Sequence, residues 1–183
     1  TGDNLTLNSN GEFYNQYGSI TANFLTLSSV GNFYNNFGTI LSNTDLFLTA
    51  GLNLYNNNGK ITAVDNMTIT AGEDFDNTDG EVRANKDITI NTADTLTQAG
   101  IISSNEDLTI TAKNMTNSGR TESNTSLTIT TTEDLINNSN KIITNGNMTL
   151  TARDLYNYSK IIAGNNLTLN ASDILNELKI ESF

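Results

Sequence analysis

The chain has no cysteine, histidine, proline or tryptophan anywhere in its 183 residues. Without thiols and imidazoles there are no disulfides, no zinc sites of the usual ligand kinds, no Ser-His-Asp triad and no imidazole acid–base chemistry. Positive charge is scarce as well. Nine Lys and Arg stand against 20 Asp and Glu, a formal net charge of −11. The cations are scattered singly, so no concentrated basic face of the kind that neutralises nucleic-acid phosphates or docks on anionic lipid is expected. No run reaches the ~18 apolar residues of a membrane span. The opening TGDNLTLNSN has neither the basic start nor the apolar stretch of a signal peptide. No cofactor is implied.

Two polar residue types fill the space. Asn occurs 31 times and Thr 28 times, about a third of the chain. Low hydrophobicity with high net charge is the usual signature of disorder. Here only 16% of residues are charged, and the apolar ones are strictly placed.

Their placement is a repeat from end to end. An apolar-x-apolar element recurs as Leu5/Leu7, Leu25/Leu27, Leu46/Leu48, Met67/Ile69, Ile88/Ile90, Leu108/Ile110, Leu127/Ile129, Met148/Leu150 and Leu167/Leu169, with starts 19 to 21 residues apart. After each comes an apolar residue, a variable one and an amide. The amide column reads Asn15, Asn35, Asn56, Asn77, Gln98, Asn117, Asn137, Asn157 and Asn176. A third apolar position follows at Ile20, Ile40, Ile61, Val82, Ile102, Thr121, Ile142, Ile161 and Ile180, with Thr121 the one polar member.

Each unit therefore holds three short pieces with period-two alternation, bounded by Gly, Asn, Asp and Ser; Thr, Ile, Val and aromatics suit strands. Helix is excluded by the missing i, i+3, i+4, i+7 pattern and by the weak helix propensity of Asn, Thr and Gly. A unit of this size cannot bury its own apolar side and must stack on copies of itself. Three strands per turn wound into a coil predict an all-β parallel β-helix of about nine coils, a single repeat domain over residues 1–183 and a rod roughly 43 Å long. Absent proline fits, because proline removes a ladder donor. The amide column is expected to be structural, with Asn supplying left-handed corners and amides bonding coil to coil. Around Thr121 the coil is expected to lose core contact.

A unit such as Leu155-Tyr-Asn-Tyr-Ser-Lys-Ile-Ile-Ala-Gly-Asn-Asn-Leu167-Thr-Leu169-Asn-Ala171 resembles the haemagglutinin repeats of filamentous haemagglutinin and of contact-dependent inhibition exoproteins. The resemblance covers essentially the whole chain. It implies a right-handed β-helical shaft, secreted to the surface of a Gram-negative bacterium through an outer-membrane two-partner transporter. Such a shaft holds a distal adhesive or toxin-delivering part away from the cell, toward a host or target-cell receptor or glycan. On that reading the sequence is a length of shaft from a longer fibre. The absence of cysteine then has a reason, since disulfides made in the periplasm would trap a chain crossing it unfolded.

Several local features carry alternatives. The acidic run from Glu73 to Glu81 suggests calcium, but its spacing misses the D-x-[DN]-x-[DN]-G pattern, which favours a solvated turn. Asn77-Thr78-Asp79 matches a short motif of polygalacturonases, a family of the same fold. No histidine motif and no second carboxylate pair accompany it, so no enzyme is expected. Outward Thr pairs such as Thr68/Thr70 resemble ice-binding arrays, although Phe47 and several Asn interrupt them. The Asn-x-Thr sequences follow from the repeat itself. Nine of the 13 aromatics lie in the first 55 residues. Of these, Tyr14, Tyr34 and Tyr55 fall in an outward column on three successive coils. They read either as a stripe that binds sugar rings or a receptor, or as rings that stack on each other and shield strand edges.

Overall fold

A computed structural model describes residues 4–183. Three parallel sheets, each of nine strands, run the length of the molecule. The first begins with Asn4–Ser9 and ends with Leu167–Asn170, the second runs from Phe13–Tyr14 to Asp173–Asn176, and the third from Ser19–Ala22 to Lys179–Ser182. Every strand pairs with its equivalent in the next repeat. The chain is thus a parallel β-solenoid of nine coils, numbered here by their first-sheet strands.

The register explains why the columns exist. Leu46 pairs with Met67 and Met67 with Ile88, while Ile61 pairs with Val82 and Val82 with Ile102. Equivalent side chains therefore lie one strand spacing apart, ~4.8 Å, and a single line of Leu, Ile, Met and Phe becomes a continuous core. Phe33, Phe75, Leu54, Leu96 and Met115 are fully buried along the second sheet. Each such side chain contributes about 1.5–3 kcal/mol of transfer free energy before ordering entropy is subtracted. No coil closes a core alone, so cohesion comes from neighbours on either side.

Two expectations are corrected. The left-handed corners do not fall on the amide column. Positive φ is found two residues later, at Tyr17, Phe37, Asn58 and Asp79, and also at Asn140. The buried Asn closes or directly follows its strand with its amide in the interior, and the chain turns only after it. The glycine that follows is fixed by close approach: a Cβ on Gly59 would overlap the backbone carbonyl of Asn35 and the amide of Asn56.

The second correction concerns Thr121. It is fully buried, in register with Ile102 and Ile142, and its strand is paired on both sides. The coil keeps its core contact there because the hydroxyl finds an internal acceptor.

Candidate functional site

The amide column lies inside the rod. Asn35, Asn56, Asn77, Gln98, Asn117, Asn137 and Asn157 have no exposed surface; Asn15 is almost buried and only Asn176, in the ninth coil, is exposed. Each Nδ2 donates to Oδ1 of the next coil: Asn15 to Asn35 at 2.7 Å, Asn35 to Asn56 at 2.7 Å, and Asn56 to Asn77 at 2.8 Å. The run continues from Asn117 through Asn137 and Asn157 to Asn176 at 2.7 to 2.9 Å. The second amide proton meets corner carbonyls; Asn35 Nδ2 also reaches the carbonyls of Gly38 and Lys60 at 3.3 Å. Both protons are satisfied in this way at Asn15, Asn35, Asn56, Asn77, Asn137 and Asn157, which is what allows a polar column in the core. A fully engaged amide offers nothing to a ligand.

The ladder has one gap. Asn77 Nδ2 donates to Gln98 Oε1 at 2.7 Å, but the longer Gln98 side chain carries its own Nε2 past Asn117 to the carbonyl of Arg120.

Outside, the aromatic residues form stacks along the rod axis. Tyr14 and Tyr34 lie 4.9 Å apart with planes 5° from parallel, and Tyr34 and Tyr55 lie 5.1 Å apart at 10°. Tyr17 and Phe37 form a parallel stack at 5.1 Å, and Phe13 and Phe33 one at 4.5 Å on the inward side. Tyr14, Tyr17 and Phe37 are more than half exposed. Because successive rings cover one another's faces, the stripe turns edges and hydroxyls outward. The Tyr14 hydroxyl donates to Glu12, which raises its pKa above the ordinary value, and burial does the same for Tyr55. The same outward column becomes apolar again at Ile136, Tyr156 and Leu175, which pair in register on the last three coils.

The acidic run is divided by the fold. Phe75 and Val82 are in the core, Asp76 Oδ1 accepts from the Thr78 amide and hydroxyl, and Asp74 Oδ1 accepts from the Thr95 amide. Asn77 belongs to the inner ladder, so the Asn77-Thr78-Asp79 motif does not present three side chains to one site. Among the described residues no cluster of three carboxylates has metal-site geometry.

The haemagglutinin-repeat pattern matches residues 1–37, 38–79, 74–152 and 135–180. The chain belongs to the haemagglutinin-repeat family. Comparison with curated proteins and with solved structures returns no match. For this haemagglutinin-repeat chain, as for any solenoid, residues about 20 apart in sequence are neighbours in space, and that overturns the expectation of singly scattered cations. Arg120, Lys141, Lys160 and Lys179 stand in one column of the third sheet. Six of the nine cations, but only three of the 20 carboxylates, lie on third-sheet strands. Those three carboxylates are spent locally: Glu81 pairs with Lys60 and Arg83, Glu122 with Arg120, and Glu181 with Lys179 at 2.6 Å. Second-sheet strands carry four more, Asp76, Asp134, Asp154 and Asp173, first-sheet strands carry none, and the acid excess lies in the turns between strands. No helix among the described residues is long and apolar enough to cross a membrane.

Proposed function

We propose that this haemagglutinin-repeat chain is a structural shaft segment of a large secreted bacterial surface exoprotein, and that it projects a distal adhesive or toxin-delivering region away from the cell. The observation that carries the reading is the unbroken register of all three sheets over nine coils. Each added repeat lengthens the rod by one strand spacing, ~4.8 Å, and changes nothing else, so the sequence converts residues into reach. The working parts are a packed interior and a satisfied amide ladder, neither of which needs a catalytic centre. Export through an outer-membrane two-partner transporter accords with a chain that has no cysteine to trap it on the way.

The test is an in-frame excision from the parent protein. Removing residues 67–126 joins Asn66 to Leu127, which keeps first-sheet positions in step and deletes three coils. The shaft reading predicts normal export and a fibre about 14 Å shorter. Loss of the parent's binding activity on export of a folded, shortened fibre would contradict it.

A second reading, a carbohydrate- or receptor-binding module on the first coils, is favoured by the aligned and exposed Tyr14, Tyr34 and Tyr55. The stacking restricts the partner, because a sugar ring that needs an aromatic face finds those faces already covered. A receptor surface contacting ring edges and hydroxyls fits better. Binding on a receptor or glycan array that survives Tyr34→Ala would remove this reading.

A further inference from the structure

We propose that the outer face of the third sheet, where the fifth coil meets the sixth, is a binding site for a neutral polyhydroxylated ligand, one sugar unit of a glycan. The site does not depend on the shaft reading, and it is remote from the tyrosine stripe. It is a pocket of about 220 Å³ lined by Ser103, Asn105, Arg120, Glu122, Asn124 and Ile143, among others.

Three departures from the repeat converge on this junction. An outer row of turn amides breaks here. Asn105 donates to Asn85 at 3.4 Å and Asn145 to Asn124 at 2.8 Å, yet no rung joins Asn124 to Asn105, although both are asparagine. Ser103 is the smallest side chain in an outward column that otherwise reads Thr21, Leu41, Thr62, Arg83, Glu122, Ile143, Ile162 and Glu181. Finally, Arg120 Nε is buried without a hydrogen-bond partner. In a repeat protein, local rules broken at one place without a packing gain mark function more often than accident. A donor left unmet is costly, and because the Arg120 side chain as a whole is partly exposed, a small movement of the guanidinium would bring Nε–H to a ligand oxygen and recover that cost.

The chemistry of the lining selects the ligand. The Arg120 guanidinium pairs with the Glu122 carboxylate, and Ser103 Oγ donates to the same carboxylate at 2.9 Å. Charge at the floor is thereby neutralised. An anion would face Glu122, and a cation would face Arg120. A neutral hydroxyl does both jobs: it donates to the carboxylate and accepts from Nε–H. Asn105 Oδ1 and Asn124 Nδ2, freed by the missing rung, add an acceptor and a donor at the rim, and Ile143 offers an apolar wall for the C–H face of a ring. Placed polar groups around one apolar contact are the usual make-up of a small-ligand site.

The test is NMR titration of the intact chain with glucose, galactose, mannose and N-acetylglucosamine as separate probes, and with glucuronate and inorganic sulfate as charged comparisons. Saturable shifts are expected for at least one neutral sugar, at Ser103, Glu122, Asn124 and the Arg120 Nε–H resonance, with a Kd of about 1–10 mM. Ser103→Phe fills the pocket from an outward position and should weaken binding more than tenfold. Thr62→Phe, in the same column two coils away, should leave it unchanged, and circular dichroism confirms that both variants fold. No saturable shift with any neutral sugar, preference for glucuronate or sulfate, or binding undiminished in folded Ser103→Phe would each overturn the proposal.

Discussion

The Thr121 hydroxyl donates to Asn117 Oδ1 at 2.9 Å in the interior of the sixth coil. Elsewhere in the ladder that oxygen accepts from the amide of the preceding coil. Here Gln98 reaches past it, and Thr121 supplies the missing proton from the position where other coils carry Ile or Val. The two departures from the repeat thus compensate one another within a fully buried column.

Compensation predicts energetic coupling. Thr121→Val keeps the shape and removes the donor, so in the native background it should destabilise by about 1 kcal/mol, the cost of an unmet acceptor less the gain from one buried methyl. With Gln98→Asn the ladder closes through Asn117, and the same Thr121→Val change should become neutral or stabilising. Urea unfolding of the two single variants and the double variant gives the interaction energy. Equal effects of Thr121→Val in both backgrounds would show that the hydroxyl and the gap are unrelated.

Breaking one rung of the ladder is expected to cost about as much as truncating a buried apolar side chain. Asn56→Ala leaves the donor of Asn35 and the acceptor of Asn77 without partners inside the core. A loss of about 2–4 kcal/mol is expected from the unfolding midpoint. Asn176→Ala, on an exposed residue, should cost well under half as much. Similar losses at the two positions would mean that the amides act through backbone preference and not through their stacked bonds.

On the alkaline side, stability should fall as tyrosine and lysine deprotonate. Tyr14 is held protonated by its bond to Glu12, Tyr55 by burial, Tyr156 by the Asp154 carboxylate, and Lys86 by its bond to Asp65. All four pKa values are raised above those of the unfolded chain, 10.0 for tyrosine and 10.5 for lysine. The unfolded state therefore releases its protons first, and the contribution of these groups, fully present below about pH 10, is lost as pH climbs through the folded values. Melting temperature followed together with tyrosinate absorbance should show a decline that begins near pH 10. A melting temperature that rises across that range would reverse the assigned signs.

The columns could be read from the sequence because period-two alternation and a period near 20 both survive as a one-dimensional pattern. Leu46, Met67 and Ile88 announce a core column by chemistry alone. What was illegible lies across coils or in the backbone. Lys141 and Lys160 are 19 residues apart and look isolated until register puts them side by side. Tyr156 and Leu175 extend the outward apolar column for the same reason. The left-handed turn at Tyr17 and Phe37 defies propensity, since aromatic residues rarely take positive φ, and only their stacking explains why rings stand there. Thr121 looked like a defect because its partner, Asn117, belongs to a different column.

The nine coils form a stiff rod whose length counts coils. With no native cysteine, paired thiols can be introduced on the outward threonine column without competition. Thr26→Cys combined with Thr109→Cys spans four coils, and with Thr149→Cys six. Spin labels on these pairs should give narrow distance distributions whose centres differ by about 10 Å, two strand spacings, within spans near 19 and 29 Å. Broad distributions, or a separation that fails to grow with the number of coils, would contradict the shaft.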